Sequence, residues 1–69
     1  MQWQKCPSVT TGGKPYFWFA RGPSDGLRWW VVWDRRLSTW VARNDIESDP
    51  TTFASPAQAK RFVDAMQYV

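Results

Sequence analysis

The sequence predicts an α+β fold: an antiparallel meander sheet of three or four strands with one C-terminal helix packed on one face. Two aromatic and β-branched runs, PYFWFAR and LRWWVVWD, flank the turn-forming cluster GPSDG. A third run, STWVAR, follows the turn DRRL. The chain closes on SPAQAKRFVDAMQYV, which carries helix-capping residues and a 3.6-residue apolar period.

The first strand is expected near residues 2–6, as an edge strand paired with 16–21 across PSVTTGGK, with Trp3 reaching the core beside Phe19. The next two occupy 15–21 and 27–34, joined by a five-residue loop from Gly22 to Gly26. That loop sets Arg21 opposite Leu27, Phe19 opposite Trp29 and Phe17 opposite Val31 on one face. Because side chains alternate, Tyr16, Trp18 and Ala20 then share the other face with Val32, Trp30 and Arg28.

A strand at 38–43 follows a turn centred on Arg35 and Arg36, with Trp40 facing Val31 and Ala42 facing Trp29. A one-residue slip would turn Arg43 into the core. This register leaves Arg28 and Arg43 side by side on the outer face. Residues 44–52, NDIESDPTT, read as a polar, acidic loop.

The helix spans 56–67. Ser55 is its N-cap, Pro56 takes the first helical position, and Gln58 completes a capping box. Ala59, Phe62, Val63 and Met66 form an apolar stripe, while Lys60, Arg61, Asp64 and Gln67 face water. The expected core is therefore Phe17, Phe19, Leu27, Trp29, Val31, Trp33, Trp40 and Ala42 against Phe62, Val63 and Met66, with Phe53 closing an edge.

Sixty-nine residues with 43% apolar and 22% charged content describe one domain, residues 1–69, with one core. Six Trp, four Phe and two Tyr supply the burial that so small a chain needs. Each ring buries about 150–250 Å², an upper bound of roughly 4–6 kcal/mol. Cys6 is the only cysteine and histidine is absent, which excludes an internal disulfide and a zinc site with the usual ligands. No cofactor and no metal are expected. The opening MQWQKCPS lacks an apolar signal segment, no apolar run approaches the ~20 residues that cross a bilayer, and a lone thiol fits a reducing cytoplasm.

Catalytic chemistry has little to stand on. The usual proton shuttle near neutral pH is missing, Cys6 has no imidazole to activate it, and the carboxylates fall in turns or on the helix's polar side. TTGGKP fails as a phosphate loop, since Ser8 and Pro15 replace a glycine and a hydroxyl and a strand follows. DIESDP fails as a calcium loop, with Pro50 and Pro56 at the glycine and glutamate positions. The chain is expected not to be an enzyme.

One helix covers one sheet face, so the other is left over. Tyr16, Trp18, Trp30, Val32 and Val41, with Arg28 and Arg43 at one end, form the candidate partner-binding patch. Trp, Tyr and Arg are the residues that dominate protein hot spots, so a protein partner is expected, or a second copy in a homodimer. Base or sugar stacking on Trp18 and Trp30 is a further use of such rings. A net charge of +3 permits a nucleic-acid partner without requiring one.

In size and style the compact, aromatic-rich chain resembles accessory proteins of phages and mobile elements, which act by occluding a site on a host enzyme or complex; the resemblance implies an inhibitor or regulator. The order strand, WDRR turn, strand, TFASPAQAKRFVDA, over about residues 15–66, is similar to the three-stranded-sheet-plus-helix domains of integrase arms and ethylene-response factors. That likeness implies a sheet entering the DNA major groove, with Arg21, Arg28, Arg35, Arg36 and Arg43 on phosphates or guanine edges. In this chain the long acidic loop before the helix departs from both families.

Overall fold

A computed structural model describes residues 2–7, 14, 16–46 and 51–67. Five strands form one antiparallel sheet: β1 (Gln4–Pro7), β2 (Tyr16–Arg21), β3 (Arg28–Asp34), β4 (Thr39–Asn44) and β5 (Thr51–Phe53). They lie side by side in chain order, and the helix α1 (Pro56–Met66) follows. The α+β meander with a C-terminal helix is as expected, with one strand more than the three or four anticipated. The addition, β5, joins the last two residues of the stretch read as acidic loop to Phe53: Thr51, Thr52 and Phe53 pair with Ala42, Val41 and Trp40. Thr39 fastens it by donating its hydroxyl to the Phe53 carbonyl at 2.7 Å. A run of two threonines and a phenylalanine suits a short edge strand.

Two loops set the registers of β2 with β3 and of β3 with β4. Between β2 and β3, Gly22 pairs with Leu27, its N–H donating to the Leu27 carbonyl at 2.8 Å, so the loop is Pro23, Ser24, Asp25 and Gly26. Gly26 donates back to the Gly22 carbonyl at 3.0 Å and closes the loop in the left-handed region, φ 70°. Between β3 and β4, Asp34 pairs with Thr39, leaving Arg35, Arg36, Leu37 and Ser38, again with the last residue left-handed, φ 52° at Ser38. The two hairpins use the same four-residue device. Asp34 holds the second one open for the turn by accepting from the N–H groups of Arg36 (2.9 Å) and Leu37 (3.1 Å).

The first loop is one residue shorter than expected, and a shift of one turns β2 over. Trp18 faces Val31, and Ala20 faces Trp29. Tyr16, Trp18 and Ala20 therefore point toward the helix, and Phe17 and Phe19 point away, the reverse of the expected assignment. The second loop is two residues longer than expected, which preserves the faces: Trp33 meets Trp40, and Val31 meets Ala42.

The N-cap and the first-turn proline are as expected, while the Gln58 half of the capping box is met one residue earlier, at Ala54 instead of Ser55. Ser55 accepts from the Gln58 N–H at 3.3 Å, and Pro56 sits at the start. Gln58 reaches back to the N–H of Ala54 at 3.1 Å. The helix lies across β3, β4 and β5, and its inward line is Ala59 and Val63, continued by Gln67 just past the helix. Val63 packs with Trp29 and Ala42, and Ala59 with Val31 and Trp40. Phe62 and Met66, expected in the core, are 42% and 40% exposed, Phe62 resting on Phe53 at the β5 edge with ring centroids 5.2 Å apart. Gln67, expected in water, is buried. Rotation of the helix toward the β1–β2 side accounts for both differences: Lys60 and Asp64 reach over Trp18 and Trp3.

A polar knot locks the first hairpin to the helix end. Asp25 accepts from the Leu27 N–H (2.9 Å), the Trp29 indole N–H (3.0 Å) and the Gln67 amide (3.0 Å). The Ser24 hydroxyl donates to the Gln67 carbonyl at 2.6 Å. The Gln67 amide, with the Leu27 and Trp29 N–H groups, holds the Asp25 carboxyl below the usual carboxylate range, against an opposing effect of burial. Among the described residues, no helix is long and apolar enough to cross a membrane.

Candidate functional site

The face of the sheet opposite α1 carries the outward side chains of the three central strands. On β2 these are Phe17, Phe19 and Arg21, on β3 Arg28, Trp30, Val32 and Asp34, and on β4 Val41 and Arg43. All of β1 to β5 lie in the sheet and α1 is on the other side, so none of the six elements crosses this face. Phe19 and Trp30 are register partners with ring centroids 5.7 Å apart. Phe17, Phe19, Trp30 and Val32 are half-buried, and Val41 is fully buried between its partners Val32 and Thr52. Val41 is thus a packing residue, although the strand presents it to the expected face.

The arginines do not stand beside each other as expected, because the longer β3–β4 loop moves β4 along by two residues. Arg28 lies next to Asp45, its Nε 3.2 Å from both carboxylate oxygens, and its guanidinium carbon is 5.6 Å from the centre of the Trp30 ring. Arg43 stands opposite Trp30 and donates from Nη2 to Asp34 at 3.2 Å. Both remain half open, their side chains 54% and 45% exposed. Asp34 is held below the usual carboxylate range, chiefly by the Leu37 N–H, with the Arg36 N–H and Arg43 adding to it and burial opposing. Each guanidinium is oriented and partly neutralised.

Beside the hairpin the face deepens into a cleft of about 310 Å³, lined by Val32, Trp33, Asp34, Arg35, Arg36 and Arg43. Of the expected partner-binding set, Arg28, Trp30, Val32 and Arg43 are together here. Tyr16 and Trp18 are on the helix side, and Phe17 and Phe19 take their places. The five arginines of the DNA reading do not form one surface: Arg21 and Arg28 end the β2–β3 hairpin, whereas Arg35, Arg36 and Arg43 gather at the opposite end of β3.

Tyr16 and Trp18 meet a second constellation that sequence reasoning missed. Lys5 lies 4.3 Å from the Tyr16 ring centre and 5.9 Å from that of Trp18, Lys60 3.7 Å from Trp18, and Lys14 4.9 Å from Trp33. The signal was there in Lys5, which a four-residue first hairpin loop would not have changed, and in Lys60 at the helix position next to Ala59; both needed the correct face of β2. The loops expected from TTGGKP and DIESDP lie largely outside the described residues. No family model, curated protein or solved structure matches the chain.

Proposed function

We propose that the protein is a non-enzymatic binding module that holds a protein partner on the sheet face opposite its helix. The observation that carries this reading is the Phe19–Trp30 ring pair with Arg28 stacked over Trp30 and fixed by Asp45. Apolar rings at the centre with oriented arginines and carboxylates at the rim are the anatomy of protein interfaces, where Trp, Tyr and Arg dominate the energetics. The charge pattern also favours a protein. Arg28 and Arg43 each have a carboxylate at 3.2 Å, which weakens the face for a polyanion and suits a partner of mixed charge. The cleft beside Val32, rimmed by Arg35, Arg36 and Arg43, offers room for an acidic side chain of that partner.

Trp30→Ala tests the reading by affinity capture from cells that express the protein, with Phe62→Ala on the exposed helix side as control. Loss of a specific partner in Trp30→Ala but not in Phe62→Ala supports it. Equal retention by a folded Trp30→Ala protein contradicts it. Sedimentation of the purified chain distinguishes a second copy from a different protein, since only the former gives a concentration-dependent dimer.

A further inference from the structure

All three lysines of the chain, Lys5, Lys14 and Lys60, lie over aromatic rings on one flank of the sheet. This flank is on the helix side of β2 and at the Trp33 end of β3, beside α1, whose Ala59 belongs to the cluster these rings pack against. The rings form a row: Trp18 to Tyr16, 6.4 Å between centroids; Tyr16 to Trp40, 5.8 Å; Trp40 to Trp33, 5.8 Å. Trp40 is buried, while Trp18, Tyr16 and Trp33 are only half-buried. Among the described residues no carboxylate pairs with any of the three lysines. Asp64, the nearest acidic position on the helix, accepts the indole N–H of Trp3 at 3.1 Å.

Among the described residues, three like charges are thus gathered over a ring row that holds them through its ring faces. An ammonium on an open ring is held by about 0.5–1 kcal/mol, so an anion displaces it readily. A second observation falls on the same ring. The Trp18 indole N–H is buried and has no acceptor among the described residues, although buried donors of this kind nearly always have one.

We propose that this flank binds single-stranded nucleic acid, with Lys5, Lys14 and Lys60 moving from the rings to backbone phosphates and bases stacking on Tyr16, Trp18 and Trp33. Rings accept any base face, and cations track the backbone without reading sequence. Tyr16, Trp18 and Trp33, the half-buried rings of the row, offer stacking places for about three bases. Duplex DNA does not fit, since its bases are stacked and cannot reach the rings. The site is separate from the proposed protein-binding face and stands or falls independently of it.

The test is a tryptophan-fluorescence titration of the full chain with an oligothymidylate of about eight nucleotides, repeated from 50 to 200 mM salt. The expected result is quenched emission and a log K against log salt slope of about −2, from three phosphates at roughly −0.7 each. Each single variant, Lys5→Ala, Lys14→Ala or Lys60→Ala, reduces the slope by about 0.7, and Trp30→Ala on the other face leaves the binding unchanged. Absence of quenching at low salt up to about 0.1 mM oligonucleotide, the weak end of non-specific binding, overturns the proposal. So does a slope that survives the lysine substitutions, a preference for duplex, or equal affinity for inorganic polyphosphate, which has charge without bases. The salt slope and the polyphosphate comparison use the unmodified chain, so they decide the matter even if a variant fails to fold.

Discussion

Gly22 is paired with Leu27, its N–H 2.8 Å from the Leu27 carbonyl, and this one backbone bond decides which way β2 faces. With four residues in the loop, Trp18 meets Val31 and joins the helix side; with five, Phe17 would. A Cβ at Gly22 would collide with the Asp25 carboxylate and stand 2.9 Å from the Gln67 amide oxygen. Gly22→Ala is therefore expected to destabilise the protein by about 1–3 kcal/mol. Urea denaturation followed by tryptophan emission measures this, and an unchanged midpoint contradicts the hairpin geometry.

The left-handed residues at the ends of the two loops give opposite expectations. Gly26, at φ 70°, has open space around it, so Gly26→Ala costs about 1 kcal/mol from backbone strain alone. Ser38, at φ 52°, already carries that strain. Ser38→Gly is expected to raise stability by up to about 1 kcal/mol, read as a higher denaturation midpoint at unchanged slope.

Sequence patterning separated β3 correctly, with Trp29, Val31 and Trp33 toward the helix and Arg28, Trp30 and Val32 away, because strict alternation within one strand needs no partner. It also located the N-cap at Ser55, where side-chain chemistry is local. It misplaced β2 because the face of a strand relative to its neighbour depends on loop length to the single residue. GPSDG offers two glycines, either of which can end the loop, and only the contacts of Asp25 with Gln67 and Trp29, 42 and four residues away, decide between them. The two-residue error at the second loop was harmless to the faces. It hid the Arg28–Asp45 and Arg43–Asp34 pairs, which depend on register rather than on face.

Helix orientation yields a direct comparison. Val63 is fully buried against Trp29 and Ala42, while Met66 is 40% exposed. Val63→Ala is expected to cost about 2 kcal/mol and Met66→Ala well under 1 kcal/mol. Thermal or denaturant unfolding of both variants checks the order, and a Met66→Ala loss as large as that of Val63→Ala would place the helix on the stripe that periodicity alone suggests.

Asp25 links stability to acid. Its carboxyl is held below the usual range in the folded chain by the Gln67 amide, with the Leu27 and Trp29 N–H groups, so the folded state binds that proton less readily than the unfolded state. The resulting stabilisation is fully present above the unfolded carboxylate value, about pH 4, and is lost as pH falls through the lower folded value. Asp25→Asn is expected to flatten the acid limb of a stability-against-pH curve below about pH 4. An acid limb identical to that of the parent chain contradicts this assignment.

The proposed docking of a protein partner on the Phe19–Trp30 face, and not on the more exposed helix side, is open to a direct test in cells. Photocrosslinking in cells tests it most directly, with benzoylphenylalanine placed at Phe19 in one variant and at Phe62 in another. Phe62 is 42% exposed and Phe19 only half-buried in the sheet, so indiscriminate stickiness would favour position 62. A discrete adduct from position 19 that Trp30→Ala abolishes is expected, with none of matching mass from position 62. Equal adducts from both positions, or an adduct from position 62 alone, would contradict it.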